Sequence, residues 1–358
     1  MLSTRALNRA TLERQLLLRR SELAVLEAVE HLVGLQAQIP LNPYTALWSR
    51  LADFRPHELG RLLQDRRVVR IVVMRSTIHL VSADDCLILR PLMQPVLDAE
   101  LSRYRDLTGV DVDAVLAFAR RLVDERPRSA GELRAALTER FPKHDPGDLA
   151  YACRNLLAFV QVPPRGVWGR TSQVTSTTAE SWLGRQLAEN PSLDEVVLRY
   201  FGAFGPASVA DITTWSRLTG LREVVERLRP RLRTFRNERG RELFDLPDAP
   251  RPDPETPAPP RFLPEYDNAL LSHADRSRFV SDEQRRALSR VEGRIHGTVL
   301  SDGFVFGVWQ QREGTLVVSH ASRAAKRVLD TVAAEGRRLL RVFAAGAGAP
   351  DVRLERID

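Results

Sequence analysis

The sequence predicts an α+β fold, mainly α: three tandem winged helix-turn-helix units followed by a small C-terminal antiparallel, barrel-like β domain. Three observations carry this expectation. Helical segments closed by strand-like runs recur three times, a Pro-rich stretch interrupts the chain at 247–260, and strand patterns prevail beyond it. A chain of 358 residues is long enough to bury the cores that these units need.

The first unit is expected over 1–105. Its opening helix runs from Thr4 to Arg19, and further helices follow near Glu22–Leu32, Pro43–Leu51 and Pro56–Gln64. Two apolar runs, Val68–Met74 and Ile78–Ser82, flank Arg75-Ser76-Thr77 and read as its hairpin. The second unit, 106–185, repeats the order. Val112–Asp124 is helical, Ser129 is a suitable N-cap for a helix through Arg140, and Asp145-Pro146 starts a third helix through Phe159, the expected recognition helix. Gln161–Val174 reads as strand, Pro163-Pro164-Arg165-Gly166 turn and strand, a wing tip carrying Arg165, Trp168 and Arg170. The third unit, 186–246, has helices at Leu193–Phe204, Val209–Ser216 and Leu221–Leu228, with a further tip at Asn237-Glu238-Arg239-Gly240.

Residues 247–260 are too rich in proline for a helix or a central strand and are expected as an extended linker. In the last segment, 261–358, strands are expected at Val299–Leu300, Phe304–Gln310 and Thr315–Ser319, with turns at 301–303 and 312–314. An amphipathic helix, Ala321–Phe343, should pack across them, followed by a loop at 344–350 and a strand at Asp351–Ile357.

Composition narrows the function classes. No run approaches the ~20 apolar residues of a membrane span, and the start shows no signal-peptide core, so a cytoplasmic, nucleoid-associated protein is expected. The two cysteines, Cys86 and Cys153, cannot form a disulfide framework or a zinc site by themselves. The net charge is +7, and residues 1–80 carry 12 arginines, no lysine and 7 acids. That balance favours a polyanion such as DNA as partner. Only Lys143 and Lys326 are lysines, so few amines are on offer for Schiff-base chemistry.

Recognisable catalytic spacings are missing. There is no Gly-Lys-Ser/Thr phosphate loop, no Gly-x-Ser-x-Gly elbow and no His-Glu-x-x-His pair, so neither metal nor cofactor is expected. Asp84-Asp85 reads as a helix N-terminus rather than a paired catalytic site, since sequence neighbours diverge. His79 reads as a packed core or groove-lining residue, with a catalytic base as the minority alternative. Trp168 either anchors its own hairpin or wedges between bases. The pair in Gln36-Ala37-Gln38 lies where Gly34 and Pro40 stop a helix. Alternate side chains of extended backbone share a side there, so two neutral amides could hold a water or a sugar. The tripeptide alone also reads as a polar helix end.

Four stretches in order bear on that choice: Val33-Gly34-Leu35-Gln36-Ala37-Gln38, Met74-Arg75-Ser76-Thr77-Ile78-His79-Leu80-Val81, Gly166-Val167-Trp168-Gly169 and Phe262-Leu263-Pro264-Glu265-Tyr266-Asp267-Asn268. Together they resemble the AlkZ-type DNA glycosylases, over nearly the whole chain. The resemblance implies a C-shaped molecule that hydrolyses the N-glycosidic bond of alkylated purines, including N7-alkylguanine in interstrand crosslinks. It places the family's Gln-x-Gln motif on Gln36 and Gln38 as catalytic residues. It also points to the branch linked to self-resistance against DNA-alkylating natural products. Ile39 stands where many members have an acid, which bears on substrate range.

The expected partner is therefore double-stranded DNA with alkylated purines, with no membrane and no obligate protein partner. DNA contacts are expected from Arg75, Ser76, His79, Arg165, Trp168 and Arg170. The rival from another class is a non-enzymatic winged-helix DNA-binding protein or transcription regulator. A family member that binds damaged DNA without cutting it is the third possibility.

Overall fold

The computed structural model describes residues 1–289, 296–312, 314–321, 323–343 and 351–357. The loop expected at 344–350, and Glu313 of the expected turn, lie outside them. The chain opens with α1 (Thr4–Arg14), α2 (Val25–His31), β1 (Leu35–Gln36), α3 (Asn42–Arg50), α4 (Pro56–Gln64), β2 (Val68–Val72), β3 (Ile78–Ser82), α5 (Ala83–Leu92) and α6 (Gln94–Tyr104). Helix α1 is shorter than the expected Thr4–Arg19. Leu16 turns left-handed at φ 56, and Leu17 and Leu18 drop into a cluster with Phe279 and Leu300, so burial overrides helical periodicity.

The second segment holds α7 (Val112–Glu125), β4 (Arg128–Ser129), α8 (Ala130–Arg140), α9 (Pro146–Leu156), β5 (Phe159–Gln161), β6 (Thr175–Thr178) and α10 (Ala179–Leu183). Ser129 caps α8 as expected, and Asp145, at the expected start of the next helix, caps α9, each accepting the N–H three residues on. The expected wing differs. Residues 162–174 form a loop with no strand of their own, and Phe159 belongs to β5 rather than to a recognition helix.

The third segment contains α11 (Leu193–Phe204), α12 (Val209–Ser216), α13 (Leu221–Leu228) and the hairpin β7 (Arg233–Arg236) and β8 (Glu242–Asp245). Residues 247–260 have neither helix nor strand, yet they are strapped down. Arg9 donates to Thr256 O at 2.7 Å, and Arg14 donates to Pro250 O at 3.2 Å. Last come β9 (Arg261–Leu263), α14 (Asn268–Leu271), α15 (Asp282–Leu288), β10 (Gly297–Ser301), β11 (Phe304–Arg312), β12 (Thr315–His320), α16 (Lys326–Phe343) and β13 (Asp351–Arg356).

Two features correct the expected architecture. The strands of the first two blocks do not form separate wings but join one six-stranded sheet in the order β1-β3-β2-β5-β6-β4, while the third block keeps its own hairpin, β7-β8. The C-terminal sheet, β13-β12-β11-β10-β9, is open: β9 and β13 lie at opposite edges, and β12 pairs β13 in parallel. A parallel pair needs a crossover, which α16 supplies, so neither a barrel nor a purely antiparallel sheet results.

The shared sheet explains the apolar character of β2 and β3, interrupted only by Arg70, His79 and Ser82. Both strands are buried at every position. Val69, Ile71 and Val81 face a core with Tyr200, Phe204 and Trp215, while Val68, Val72 and Leu80 face one with Leu47 and Leu59. Two fully buried ion pairs fasten α1 and α3 to distant chain. Arg14 binds Asp245, and Arg50 holds Asp267 through two bonds of 2.8 and 2.9 Å. Breaking one such pair leaves an uncompensated buried charge, at a cost of about 3–5 kcal/mol.

Candidate active site

The site begins at Gly34, whose φ of +86 turns the chain out of α2 into β1. A side chain there would meet Val81 Cγ1 at 2.7 Å and Leu80 O at 3.0 Å, so glycine is required. In β1, Gln36 sits opposite His79 of β3, and pairing continues as Ala37 donates to Ile78 O at 2.8 Å. The strand ends there and the chain bends at Gln38, so Gln36 is buried beside His79 while Gln38, two residues on, is exposed.

Opposite Gln38, the β2–β3 hairpin turns through Met74-Arg75-Ser76-Thr77, with Thr77 N–H donating to Met74 O at 3.2 Å. Arg75 and Ser76 both have positive φ, 58 and 55. That is the type I′ pattern usually filled by Asn-Gly, so two ordinary residues hold a conformation that costs about 1 kcal/mol or more each. The guanidinium shows what holds it there. Arg75 Nη2 donates to Gln36 Oε1 at 2.8 Å and Asn268 Oδ1 at 2.7 Å, and lies 3.3 Å from His79 Nε2. Arg75 Nη1 donates to Trp215 O at 3.0 Å. Asn268 in turn donates to Gly34 O at 3.2 Å.

This network orients the amide of Gln36. A guanidinium can only donate, so Oε1 must face Arg75 and the amino group must face away. Gln36 is 7% exposed, and its Nε2 donates to no protein group, yet it is not among the sealed, unpartnered atoms. It therefore meets solvent. Gln38 is exposed, and its Oε1 accepts a long bond of 3.4 Å from Ile78 N–H. Two amides, one nearly buried at the strand end and one exposed just past it, thus keep N–H donors unspent.

His79 is a different case from the one expected for a DNA contact. It is fully buried, and burial together with the Arg75 charge pushes its pKa down to about 3. Its Nε2 faces the donor Arg75, so Nδ1–H donates to Thr77 O at 3.0 Å and the ring is neutral. It can reach no phosphate and serves as no acid at pH 7. Ser76 is buried as well, with Oγ unpartnered. Arg75 points inward, and burial lowers its pKa to about 10, helped by Arg217 and Arg276.

The buried histidines set an acid limit on stability. The unfolded chain binds their protons near 6.5, whereas folded His79 does so only near 3, and burial likewise lowers His273. Unfolding therefore takes up protons in that window. Stability is full above about pH 6.5 and falls on acidification by roughly 1.4 kcal/mol per pH unit for each histidine. Urea midpoints measured at pH 7, 6 and 5 should drop steadily, and His79→Gln should flatten the slope. A midpoint independent of pH in that range would refute the assignment.

The other expected DNA residues are set by the 162–174 loop docking on the first block. Tyr44 OH donates to Gly166 O at 2.8 Å and accepts from Trp168 N–H at 2.9 Å. The Trp168 ring is half-buried between Tyr44, at 5.3 Å, and Phe343, at 5.2 Å. It anchors its loop and is not free to wedge between bases. Arg165 turns back to donate to Ser172 O at 2.9 Å, which leaves Arg170 exposed.

Sequence reasoning overlooked Asn268, although the stretch ending in it was singled out. Asp267 caps α14 and grips Arg50, which delivers Asn268 to Arg75. It also overlooked Arg217 and Arg276, two exposed arginines close enough to lower the Arg75 pKa. No sequence signal distinguished them among so many arginines.

Comparisons with known proteins bear on the family and the fold. The family model described as DNA glycosylase AlkZ-like matches residues 29–342. An interstrand DNA cross-link repair glycosylase of Streptomyces sahachiroi is 26% identical over 336 residues, covering 86% of this chain and 88% of that protein. The solved structure of Streptomyces sahachiroi DNA glycosylase AlkZ superposes with a TM-score of 0.78 at 22% identity, covering 99% of this chain and 100% of the other, and shares its fold.

Proposed function

This chain belongs to the AlkZ-like DNA glycosylase family, and from that premise we propose that it hydrolyses the N-glycosidic bond of N7-alkylguanine, in single adducts and in interstrand crosslinks. The observation that carries the reading is the nearly buried amide of Gln36, clamped through Oε1 by Arg75 so that its amino group is left unspent, with exposed Gln38 two residues on.

Alkylation at N7 puts a positive charge on the leaving base. The electron pair of the C1′–N9 bond then flows into a ring that becomes neutral, and no proton need be supplied. A water forms the new C1′–O bond and releases its proton to solvent. Amide groups of Gln36 and Gln38 suffice to place that water and the sugar, because the sugar cation is already a strong electrophile. A neutral purine would need a general acid to leave. None of the hydrogen bonds to Gln36, Gln38, Arg75 or His79 involves a carboxylic acid, and His79 is neutral at pH 7. Selectivity for cationic lesions follows from a weakly armed site. Exposed Arg170, Arg217 and Arg276 would hold phosphates, and repair or self-resistance against an alkylating natural product is the role that fits.

The test is a duplex with one N7-methylguanine, incubated with protein and then treated with hot alkali. Cleavage at the lesion is expected only after alkali, since a monofunctional enzyme leaves an intact abasic strand. A crosslinked duplex should resolve into single strands on a denaturing gel. An uncut strand after long incubation with excess protein would leave a DNA-binding protein without this activity.

A further inference from the structure

A cleft of about 300 Å³ lies between the shared sheet and helices α8 and α9, a volume at the lower end for sites that enclose small organic molecules. It is not an extension of the glutamine site. Cross-strand partners share a face of a sheet, and the cleft is lined by Arg70, Val72, Ile78, Gln161 and Ser176. These are linked as pairs Arg70 with Gln161, Val72 with Ile78, and Gln161 with Ser176. Gln36 pairs with His79, and His79 with Ile71, on the other face, of whose ladder only Ile71 and Ser129 border the cleft. The sheet therefore stands between the two sites.

The chemistry of the lining is one-sided. Val72, Ile78, Val123, Leu133 and Phe159 give apolar walls. Every charged side chain lining the cleft is an arginine; Arg105 pairs with Asp148 at 3.3 Å and Arg128 with Glu125 at 3.1 Å, which leaves Arg70, Arg134 and Arg154 for an anion. Tyr151 offers a ring flanked by guanidiniums, with Arg105 at 4.7 Å and Arg154 at 5.6 Å. At the floor Arg70 is 2% exposed and spends only Nη2, donating to Ala37 O at 2.8 Å. Its Nε and Nη1, and Oε1 of Gln161, are buried without a partner. Buried polar groups are normally satisfied; sealed as they stand, these atoms gain partners when the two side chains turn toward a cleft ligand that brings both an acidic group and a donor.

We infer that this cleft binds a compact, flat organic anion, its ring on the apolar walls beside Tyr151 and its acid group among the arginines. Such a site is independent of the base-excision chemistry proposed above, and its failure would leave that proposal standing.

The probe is 8-anilino-1-naphthalenesulfonate, a small aromatic sulfonate that brightens in apolar surroundings, titrated into the full chain. A saturable single-site rise in fluorescence is expected. Ala150→Trp, at a half-buried helix position lining the cleft, should fill it and abolish the rise. Arg134→Glu with Arg154→Glu, on rim residues outside the core, should weaken binding by about tenfold through charge reversal. Base release and circular dichroism should be unchanged in both variants. Equal binding by wild type and either folded variant would overturn the inference. So would displacement of the probe by undamaged duplex, which would assign these arginines to DNA instead.

Discussion

Alanine at both Gln36 and Gln38 is expected to slow single-turnover base release from an N7-methylguanine duplex by roughly 100-fold or more, the loss typical of removing a positioned donor from a reacting centre. The physical basis is the fixed direction of the amides. Arg75 uses the Gln36 oxygen, which turns its amino group to solvent, and Ile78 N–H touches the Gln38 oxygen. The double variant removes both outward donors while leaving the sheet pairing of Leu35 and Gln36 with Leu80 and His79 to the backbone. Folding should suffer little, about 1–2 kcal/mol for the acceptor lost to buried Arg75, and the exposed Gln38 should contribute almost nothing. Single variants should be less damaging than the pair, since either amide alone can retain a water. A double variant that stays folded and cuts at the wild-type rate would end the assignment of these residues.

Arg75→Met is the second large effect. It removes the donor shared by Gln36 Oε1, Asn268 Oδ1 and Trp215 O, leaving three acceptors to find other partners. At about 1 kcal/mol or more for each, partly offset by no longer burying a cation, the net loss is roughly 3 kcal/mol, read as a shift in urea midpoint. The positive φ of 58 remains strained in the variant, with its tether gone. Gln36 would then rotate freely, and base release should fall by about tenfold or more. Arg75→Lys should recover part of the stability and little of the rate, because a single ammonium cannot reach the fork of acceptors. An unchanged rate in folded Arg75→Met would show that Gln36 needs no clamp.

These expectations rest on features that were unequally legible. Local chemistry read well: α4, α11, α12 and α13 run between the residues that capping and periodicity predicted, and the inner strands β2 and β3 start where the apolar runs start. Gln36 lies on extended chain beside a breaking glycine, as expected, whereas Gln38 lies at a bend just past the strand. Long-range pairing was not. Strand β2 pairs β5 across some 90 residues, and nothing local to Arg70 or Gln161 announces that they will be neighbours. The direction of Arg75 was hidden for a related reason. An arginine in a Ser-Thr turn looks solvent-facing until Gln36, Trp215 and Asn268, from three remote stretches, converge on it. Trp168 admits both readings in sequence, and the rings of Tyr44 and Phe343, from remote helices, decide for the anchor.

The continuous sheet across the first two blocks has a mechanical corollary. A ladder of backbone bonds carries no pivot, so the strand bearing Gln36 and the docked loop bearing Trp168 form a stiff anvil rather than jaws that close. Whatever bending brings a lesion's sugar to the amides must then fall on the double helix. Sequences that kink readily, at pyrimidine–purine steps, should be processed faster than stiff ones carrying the same damage.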